Sequence, residues 1–158
     1  MIQQDDSQPD PSGSPMDMAL AEARTAAGRG EVPVGAVIIG PDGGVLARAG
    51  NRVLELRDPT AHAEMLAIRE AAQRLGSERL IDCDLHVTLE PCAMCAQAMA
   101  FARIRRLYFG AEDPKGGGVQ QGARVFTHPT CHHRPEVYGG IGETASAQLL
   151  RDFFRQRR

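Results

Sequence analysis

Residues 84–95 read DLHVTLEPCAMC, and this stretch indicates both the fold class and the kind of site to look for. Its first seven residues alternate polar and apolar side chains, as a β-strand does. Pro91 is a residue favoured at the start of a helix. Cys92 and Cys95 then stand three positions apart, so their sulfurs share one face of the first turn. Such a pair can be a redox dithiol, half of a structural metal site, or part of a catalytic metal site.

The motif HAE, from His62 to Glu64, opens a second predicted helix. Apolar residues recur at helical spacing as far as Leu75, and a glycine ends the pattern. Both motifs therefore lie at helix N-termini, where unpaired N–H groups favour negative charge and lower the pKa of thiols. We expect Cys92 and Cys95 both to be thiolates, as chelation of a cation requires.

Strands and helices alternate along the whole chain, which predicts an α/β sandwich. Ser14, Pro15 and Asp17 resemble a helix cap, and glycines at residues 28 and 30 end that helix. The other predicted strands are VPVGAVII and GVLARAG, joined as a hairpin by GPDGG, then RRLYFGA and a short EVYGGI. A terminal helix, TASAQLLRDFFRQRR, has Thr144 as its predicted cap.

Length and composition limit what the cysteines can do. A chain of 158 residues can bury a core without disulfides. Residues 1–15, acidic and rich in Pro and Ser, are predicted to be a disordered tail, which leaves residues 16–158 as a single domain. The N-terminus has no signal-peptide pattern and no apolar run is long enough to span a membrane, so we expect a cytoplasmic protein. In that compartment paired cysteines are more often metal ligands or catalytic groups than crosslinks.

The residues around the cysteines weigh against two of the three possibilities. A thioredoxin-type dithiol usually follows an aromatic residue, whereas Pro91 precedes this pair. A structural zinc site needs four protein ligands, and none of the remaining candidates forms a second close pair with a cysteine: Cys83, Cys131, His128, His132 and His133. H-x-E followed by P-C-x-x-C is the known signature of zinc deaminases, which use three ligands and a water. The order and helical context of the two motifs favour this catalytic site.

The chemistry of deamination explains why these residue types are needed. A zinc ion held by His62, Cys92 and Cys95 would acidify a water toward neutral pH, and hydroxide could then attack an amidine-like carbon of a purine or pyrimidine. Glu64 would take the proton from that water, pass it to the ring nitrogen, and then protonate the departing ammonia. A glutamate two residues from a ligand can reach the water without ligating the metal.

Longer stretches resemble one family, the bacterial tRNA-specific adenosine deaminases of the cytidine deaminase superfamily. The matching stretches are EVPVGAV from Glu31, DPTAHAE from Asp58, RLIDCDLHVTLEPCAMC from Arg79, RIRRLYFGAEDPKGG from Arg103 and the ending LLRDFFRQRR. The resemblance implies a cytidine deaminase-like fold, a three-layer α/β/α sandwich around a five-stranded mixed sheet. It also implies a homodimeric hydrolase with one zinc ion per subunit, which converts adenosine to inosine at the wobble position of an arginine tRNA with an ACG anticodon.

The resemblance assigns roles to individual residues. It implies that His62, Cys92 and Cys95 are the zinc ligands and that Glu64 is the proton shuttle. It implies contacts with the tRNA anticodon stem-loop from Val34, Asn51, Ala63, Leu89, Asp113, Lys115, His133, Arg134 and Phe154. We expect at least one of Phe153 and Phe154 to be packed against the sheet. The family commonly has an asparagine where this chain has His132.

The composition fits recognition of an unstacked RNA loop better than general attraction to phosphate. The chain has no Trp, few aromatic residues and no long basic stripe, so a shallow salt dependence is predicted. Two alternatives remain. A free-base or nucleotide deaminase acting on guanine, cytosine or dCMP would share the fold and the zinc site. A catalytically silent RNA-binding module would not need Glu64.

Overall fold

The structure, a computed structural model, describes residues 13–157. Its elements are α1 (Pro15–Gly28), β1 (Gly35–Ile39), β2 (Val45–Gly50), α2 (Val53–Leu56), α3 (Ala63–Leu75), β3 (Asp84–Leu89), α4 (Ala93–Ala102), β4 (Arg106–Ala111), a short 3-10 turn (Val125–Thr127), β5 (Glu136–Tyr138) and α5 (Glu143–Arg155). The predicted alternation of strands and helices is confirmed, whereas α2 and the 3-10 turn were not predicted. No helix within residues 13–157 combines the length and apolar character that a membrane span requires.

The start of α1 follows the predicted capping motif. The Asp17 amide donates to Ser14 Oγ at 3.1 Å, and the Ser14 amide donates to Asp17 Oδ2 at 3.2 Å. Pro15 is the first helical residue. Residues 1–12 of the predicted tail lie outside the described residues, and its last two residues already belong to this cap and helix.

The five strands form one mixed sheet in the order β2-β1-β3-β4-β5. Strand β1 is antiparallel to both β2 and β3, while β3, β4 and β5 run parallel. The carboxyl ends of β3 and β4 therefore meet at one edge, where the Glu90 amide donates to the Ala111 carbonyl at 2.8 Å. Ligands of α/β sheets usually bind outside such carboxyl ends.

Helices cover both faces of the sheet, which gives the predicted three-layer α/β/α sandwich. Helices α1 and α5 pack on one face. Helices α3 and α4 pack on the other, around a core that includes the buried residues Ile38, Leu85, Met99 and Phe109. On this second face, the N-termini of α3 and α4 lie beside the carboxyl end of β3.

The prediction that Thr144 caps the terminal helix was wrong. The cap residue of helix α5 is Gly142, two residues before Thr144, with φ 70° and ψ 27°, and the first helical residue is Glu143. A β-branched residue is strained in this left-handed conformation, whereas glycine adopts it freely. Phe153 is 8% exposed and Phe154 is 48% exposed, so one of the two rings is buried, while its packing against the sheet stays a prediction.

Candidate active site

The three predicted zinc ligands lie together in the structure. His62 and Cys92 are the N-cap residues of α3 and α4, and Cys95 lies in the first turn of α4. His62 Nδ1 is 3.6 Å from the Sγ atom of each cysteine. Within residues 13–157 these side chains form the one group of three or more potential metal ligands, with ligand atoms within 4.8 Å of one another.

The geometry of this group fits zinc. Zn–N bonds of about 2.0–2.1 Å and Zn–S bonds of about 2.3 Å at tetrahedral angles separate nitrogen from sulfur by about 3.6 Å. The N-cap backbone is extended at both positions, with ψ of 150° at His62 and 174° at Cys92. Neither side chain makes a capping hydrogen bond, so both are available to a shared cation. With three protein ligands, a fourth coordination position remains for water.

The pKa values of the two thiols are shifted in opposite directions. A hydrogen bond from Cys95, helped by His62, lowers the pKa of Cys92 to about 4. The same hydrogen bond raises the pKa of Cys95, and burial and the nearby Glu64 carboxyl add to this rise. Two thiolates would repel each other in this buried turn unless a bound cation offset their charge, so the expectation that both are thiolates in the zinc-bound site stays a prediction. Zinc binding must displace the Cys95 proton.

Glu64 lies beside the zinc ligands without joining them. It is in the first turn of α3, is 4% exposed, and lines the same cavity as His62 and Cys92. Burial raises the pKa of its carboxyl, and the negative charge of Cys92 raises it further. A carboxyl whose pKa is raised above its ordinary value suits general acid and base catalysis.

The cavity above these residues has a volume of about 660 Å³, which is typical of small-molecule sites. Among the predicted substrate contacts, Val34, Asn51, Leu89 and Asp113 line it. These residues come from four separate segments that converge at the carboxyl end of β3. The cavity therefore combines apolar walls with polar groups near the metal centre.

The structure fixes the orientation of the Asn51 amide. Asn51 Oδ1 accepts a hydrogen bond of 2.8 Å from the Ala63 amide at the start of α3. Its Nδ2 has no hydrogen-bond partner among the described residues, which leaves a donor at the cavity wall. Ala63 is fully buried, and its N–H donates to Asn51 Oδ1. Ala63 thus orients Asn51 and offers no free donor of its own.

Lys115 and Phe154 line a neighbouring cavity of about 800 Å³. Arg151, Arg155 and Arg157 add positive charge to its wall. Arg157 also lines the first cavity, and its guanidinium lies 4.1 Å from the centroid of the Phe153 ring. The two cavities are therefore adjacent, and the second is both cationic and partly aromatic.

His133 and Arg134 are not brought to these cavities. They precede β5, which runs parallel to β4, so they lie at the end of the sheet opposite the metal centre. His133 Nε2 is 2.6 Å from the Ile104 carbonyl oxygen, and Arg134 is exposed. Neither residue lines either of the two cavities. A nucleoside bound at the metal centre of one chain is therefore out of reach of both.

Two buried glutamates at the site were missed by the sequence analysis. Glu31 and Glu90 line the catalytic cavity and are each 2% exposed. Glu31 accepts hydrogen bonds from the amides of Leu54 and Glu55 in α2, at 2.9 and 3.1 Å. The available signal was an acidic residue one or two positions before a proline and close to an apolar strand, in EVP and EPC.

Comparisons with known proteins agree with this geometry. Residues 12–111 match the family model described as the cytidine and deoxycytidylate deaminase zinc-binding region. A tRNA-specific adenosine deaminase from Agrobacterium fabrum is 61% identical over 90% of this chain and 93% of its own length. A solved structure from a study of A-to-I editing by tRNA:A34 deaminases at the wobble position superposes with a TM-score of 0.84 at 60% identity, covering 86% of this chain and 98% of the other.

A guanine deaminase shares the fold at a greater distance. The solved structure of the enzyme from Nitrosomonas europaea gives a TM-score of 0.76 at 25% identity, covering 88% of this chain and 82% of the other. The fold is thus common to deaminases of different substrates, whereas the high identity over nearly the whole chain is to tRNA deaminases. This protein belongs to the family of tRNA-specific adenosine deaminases.

Proposed function

We propose that this protein hydrolyses adenosine to inosine at the wobble position of transfer RNA, with the arginine tRNA that carries an ACG anticodon as substrate. The observation that carries the proposal is the His62, Cys92 and Cys95 group beside buried Glu64, at the floor of a cavity large enough for a nucleoside. The high identity to tRNA deaminases supports RNA over a free base.

The reaction replaces the amino group of adenine with the oxygen of water and releases ammonia. His62, Cys92 and Cys95 would hold zinc, which when bound supplies the Lewis acidity that makes water a nucleophile near neutral pH. Glu64 takes one proton from the attacking water and gives it to the ring nitrogen. It takes the second proton from the same oxygen and transfers it to the leaving amino group.

Other cavity residues hold the nucleoside in place. Asn51 donates from Nδ2 to an acceptor on the nucleoside, because its Oδ1 is already committed to Ala63. Val34 and Leu89 supply apolar walls beside the base. A base can enter this cavity only after it leaves its stack, which an anticodon loop permits at lower cost than a duplex does.

The neighbouring cavity suits the nucleotides beside the target. Asp113 stands at the catalytic cavity, and Lys115 and Phe154 stand at the adjacent one. Lysine attracts phosphate, and an exposed phenylalanine offers a face on which a base can stack. We assign these two side chains to the flanking nucleotides. His133 and Arg134 are left out of this set because of their position at the far end of the sheet.

Unmodified arginine tRNA with an ACG anticodon tests the proposal directly. After incubation with the zinc-loaded protein, we expect inosine at position 34 and at no other adenosine, measured by mass spectrometry of nuclease fragments. Guanine, cytosine and dCMP are assayed in parallel for ammonia release. Ammonia from one of these compounds, together with unchanged tRNA, would replace the proposal with a free-base or nucleotide deaminase.

We also propose that the protein is a homodimer that associates through α4. Gln97 is the only polar residue in this helix, which spans residues 93–102. A helix that is apolar on all sides is normally buried on all sides. Phe101 is nevertheless 72% exposed, and Met94 and Ala98 are only partly covered. A second copy of the chain would cover this surface.

Phe101→Asp is expected to convert the dimer to a monomer. A buried aromatic residue at an interface often contributes about 2 kcal/mol or more, so the dissociation constant should rise by roughly 30-fold or more. Sedimentation equilibrium measures the change. Ile81→Asp, at an apolar residue that is 52% exposed outside α4, is the matched control and should leave the constant unchanged. A wild-type protein that stays monomeric at high concentration would refute the dimer.

A further inference from the structure

We propose that Glu90 is a positioning residue for the RNA substrate, acting through the loop of residues 113–121, which we call the 113–121 loop. The proposal rests on the proposed function, because it concerns how that loop presents Lys115 to the RNA. Glu90 follows β3 and precedes the first zinc ligand of α4 by two residues. It is therefore placed between the metal centre and the loop.

Four backbone amides of the loop donate to the Glu90 carboxylate. The Asp113 amide donates to Oε1 at 3.1 Å. The amides of Val119, Gln120 and Gln121 donate to Oε2 at 3.2, 2.9 and 3.0 Å. Glu90 is 2% exposed and forms no ion pair with the described residues. Since a buried carboxylate is costly unless its lone pairs are satisfied, the loop must stay closed around it.

The same loop is packed against the turn that carries Cys92. The Gly118 amide donates to the Pro91 carbonyl at 2.7 Å. A Cβ at Gly117 would lie 2.5 Å from Glu90 Oε2 and 2.6 Å from the Asp113 carbonyl oxygen, and a Cβ at Gly118 would lie 2.4 Å from the Ala93 nitrogen. Such distances exclude a side chain at both positions. Glycines thus allow the loop to close on the carboxylate and on the start of α4.

Hydrogen bonds within the loop connect the Asp113 backbone to the residues that face the two cavities. Asp113 Oδ1 accepts hydrogen bonds from the amides of Lys115 and Gly116, at 3.2 and 3.0 Å. Asp113 and Gly116 line the catalytic cavity, and Lys115 lines the neighbouring one. By fixing the Asp113 amide, Glu90 sets where Lys115 stands relative to the zinc ligands.

Glu90→Gln separates this role from the chemical step. The glutamine carbonyl can still accept the three amides at Oε2, but its amino group then faces the Asp113 amide, and two donors repel each other. We expect KM for the ACG anticodon stem-loop to rise about tenfold, the effect of losing one charged hydrogen bond. We expect kcat and zinc stoichiometry to stay within about threefold of wild type, since the catalytic groups are unchanged.

The chain offers a direct probe of the loop, because Lys115 is its only lysine. An endoprotease specific for lysine cuts the native protein there alone, at a rate set by how often the loop opens. Cleavage of Glu90→Gln should be about tenfold faster than that of wild type. Glu31→Gln is the matched control, since it makes the same change at an equally buried carboxylate that holds α2 instead. Equal acceleration in both variants, or in neither, would overturn the proposal.

Two further variants keep the test independent of the folding of Glu90→Gln. Gly117→Ala leaves the carboxylate intact but forces the loop away from it, and it should accelerate cleavage in the same way. Lys115→Ala should raise KM in the wild-type background and add little in Glu90→Gln, because the lysine is already displaced there. Unchanged cleavage in Gly117→Ala, or fully additive effects on KM, would refute the role of the loop.

Failure of this proposal can be told apart from failure of the proposed function. Wild-type protein that makes no inosine would refute the proposed function, whereas the measurement of cleavage rates needs no substrate.

Discussion

Glu64→Gln is expected to lower kcat for inosine formation by about a thousandfold or more and to leave the zinc content unchanged. The glutamine has nearly the same volume and fits the same buried space, but it cannot accept and return a proton. General acid and base catalysis typically contributes about a hundredfold to ten-thousandfold, and here one carboxyl serves both proton transfers. Because Glu64 lies outside the group of metal ligands, its loss should not release the metal.

Single-turnover kinetics on the anticodon stem-loop, with zinc measured by mass spectrometry on the same samples, gives both quantities. Glu70→Gln is the control, because Glu70 lies on the same helix but pairs at the surface with Arg74. It should retain activity within about twofold, as surface ion pairs contribute little. Wild-type turnover by Glu64→Gln would show that another group moves the protons. An inactive wild-type protein that binds RNA and zinc would instead favour the silent RNA-binding module.

Cys92→Ser is expected to abolish zinc binding at equilibrium, and activity with it. Cys92 is the sulfur whose pKa is lowered to about 4, so it is already a thiolate when a cation arrives. A serine hydroxyl stays protonated near neutral pH and is a poor ligand for zinc. The two remaining ligands should bind zinc too weakly to survive dialysis against a chelator.

Cys131→Ser is the control for this substitution. Cys131 is buried and donates from Sγ to the His133 carbonyl at 3.1 Å, a bond that a hydroxyl can also make. It lies outside the metal group, so its zinc content should equal that of the wild type. Full zinc occupancy in Cys92→Ser would require a ligand set other than the one we assign.

Local signals were sufficient to predict the elements that hold the metal ligands. Pro91 and the cysteine spacing mark the start of α4, and the apolar periodicity ending at Gly76 marks α3. These patterns depend on neighbours within a few residues, so a single sequence reveals them. The Thr144 error is also local, because Gly142 lies only two residues before Thr144 and the left-handed backbone at the cap favours a glycine.

Features that depend on distant contacts could not be predicted in this way. The position of His133 and Arg134 follows from the parallel pairing of β4 with β5, which nothing near these residues indicates. The upward shift in the pKa of Cys95 follows from its hydrogen bond with Cys92, and its burial and the nearby Glu64 add to this shift. Glu90 is buried only because a loop more than twenty residues downstream folds over it.

The positions of the ligands along the chain also give zinc a mechanical role. His62 lies 30 residues before Cys92 and 33 before Cys95, on a helix that belongs to a different crossover of the sheet. An ion bound to all three is a crosslink that closes this loop, and by the chain-entropy estimate for disulfides such a closure is worth about 3.5 kcal/mol. Zinc scarcity would therefore shorten the lifetime of the folded enzyme in the cell as well as stop its turnover.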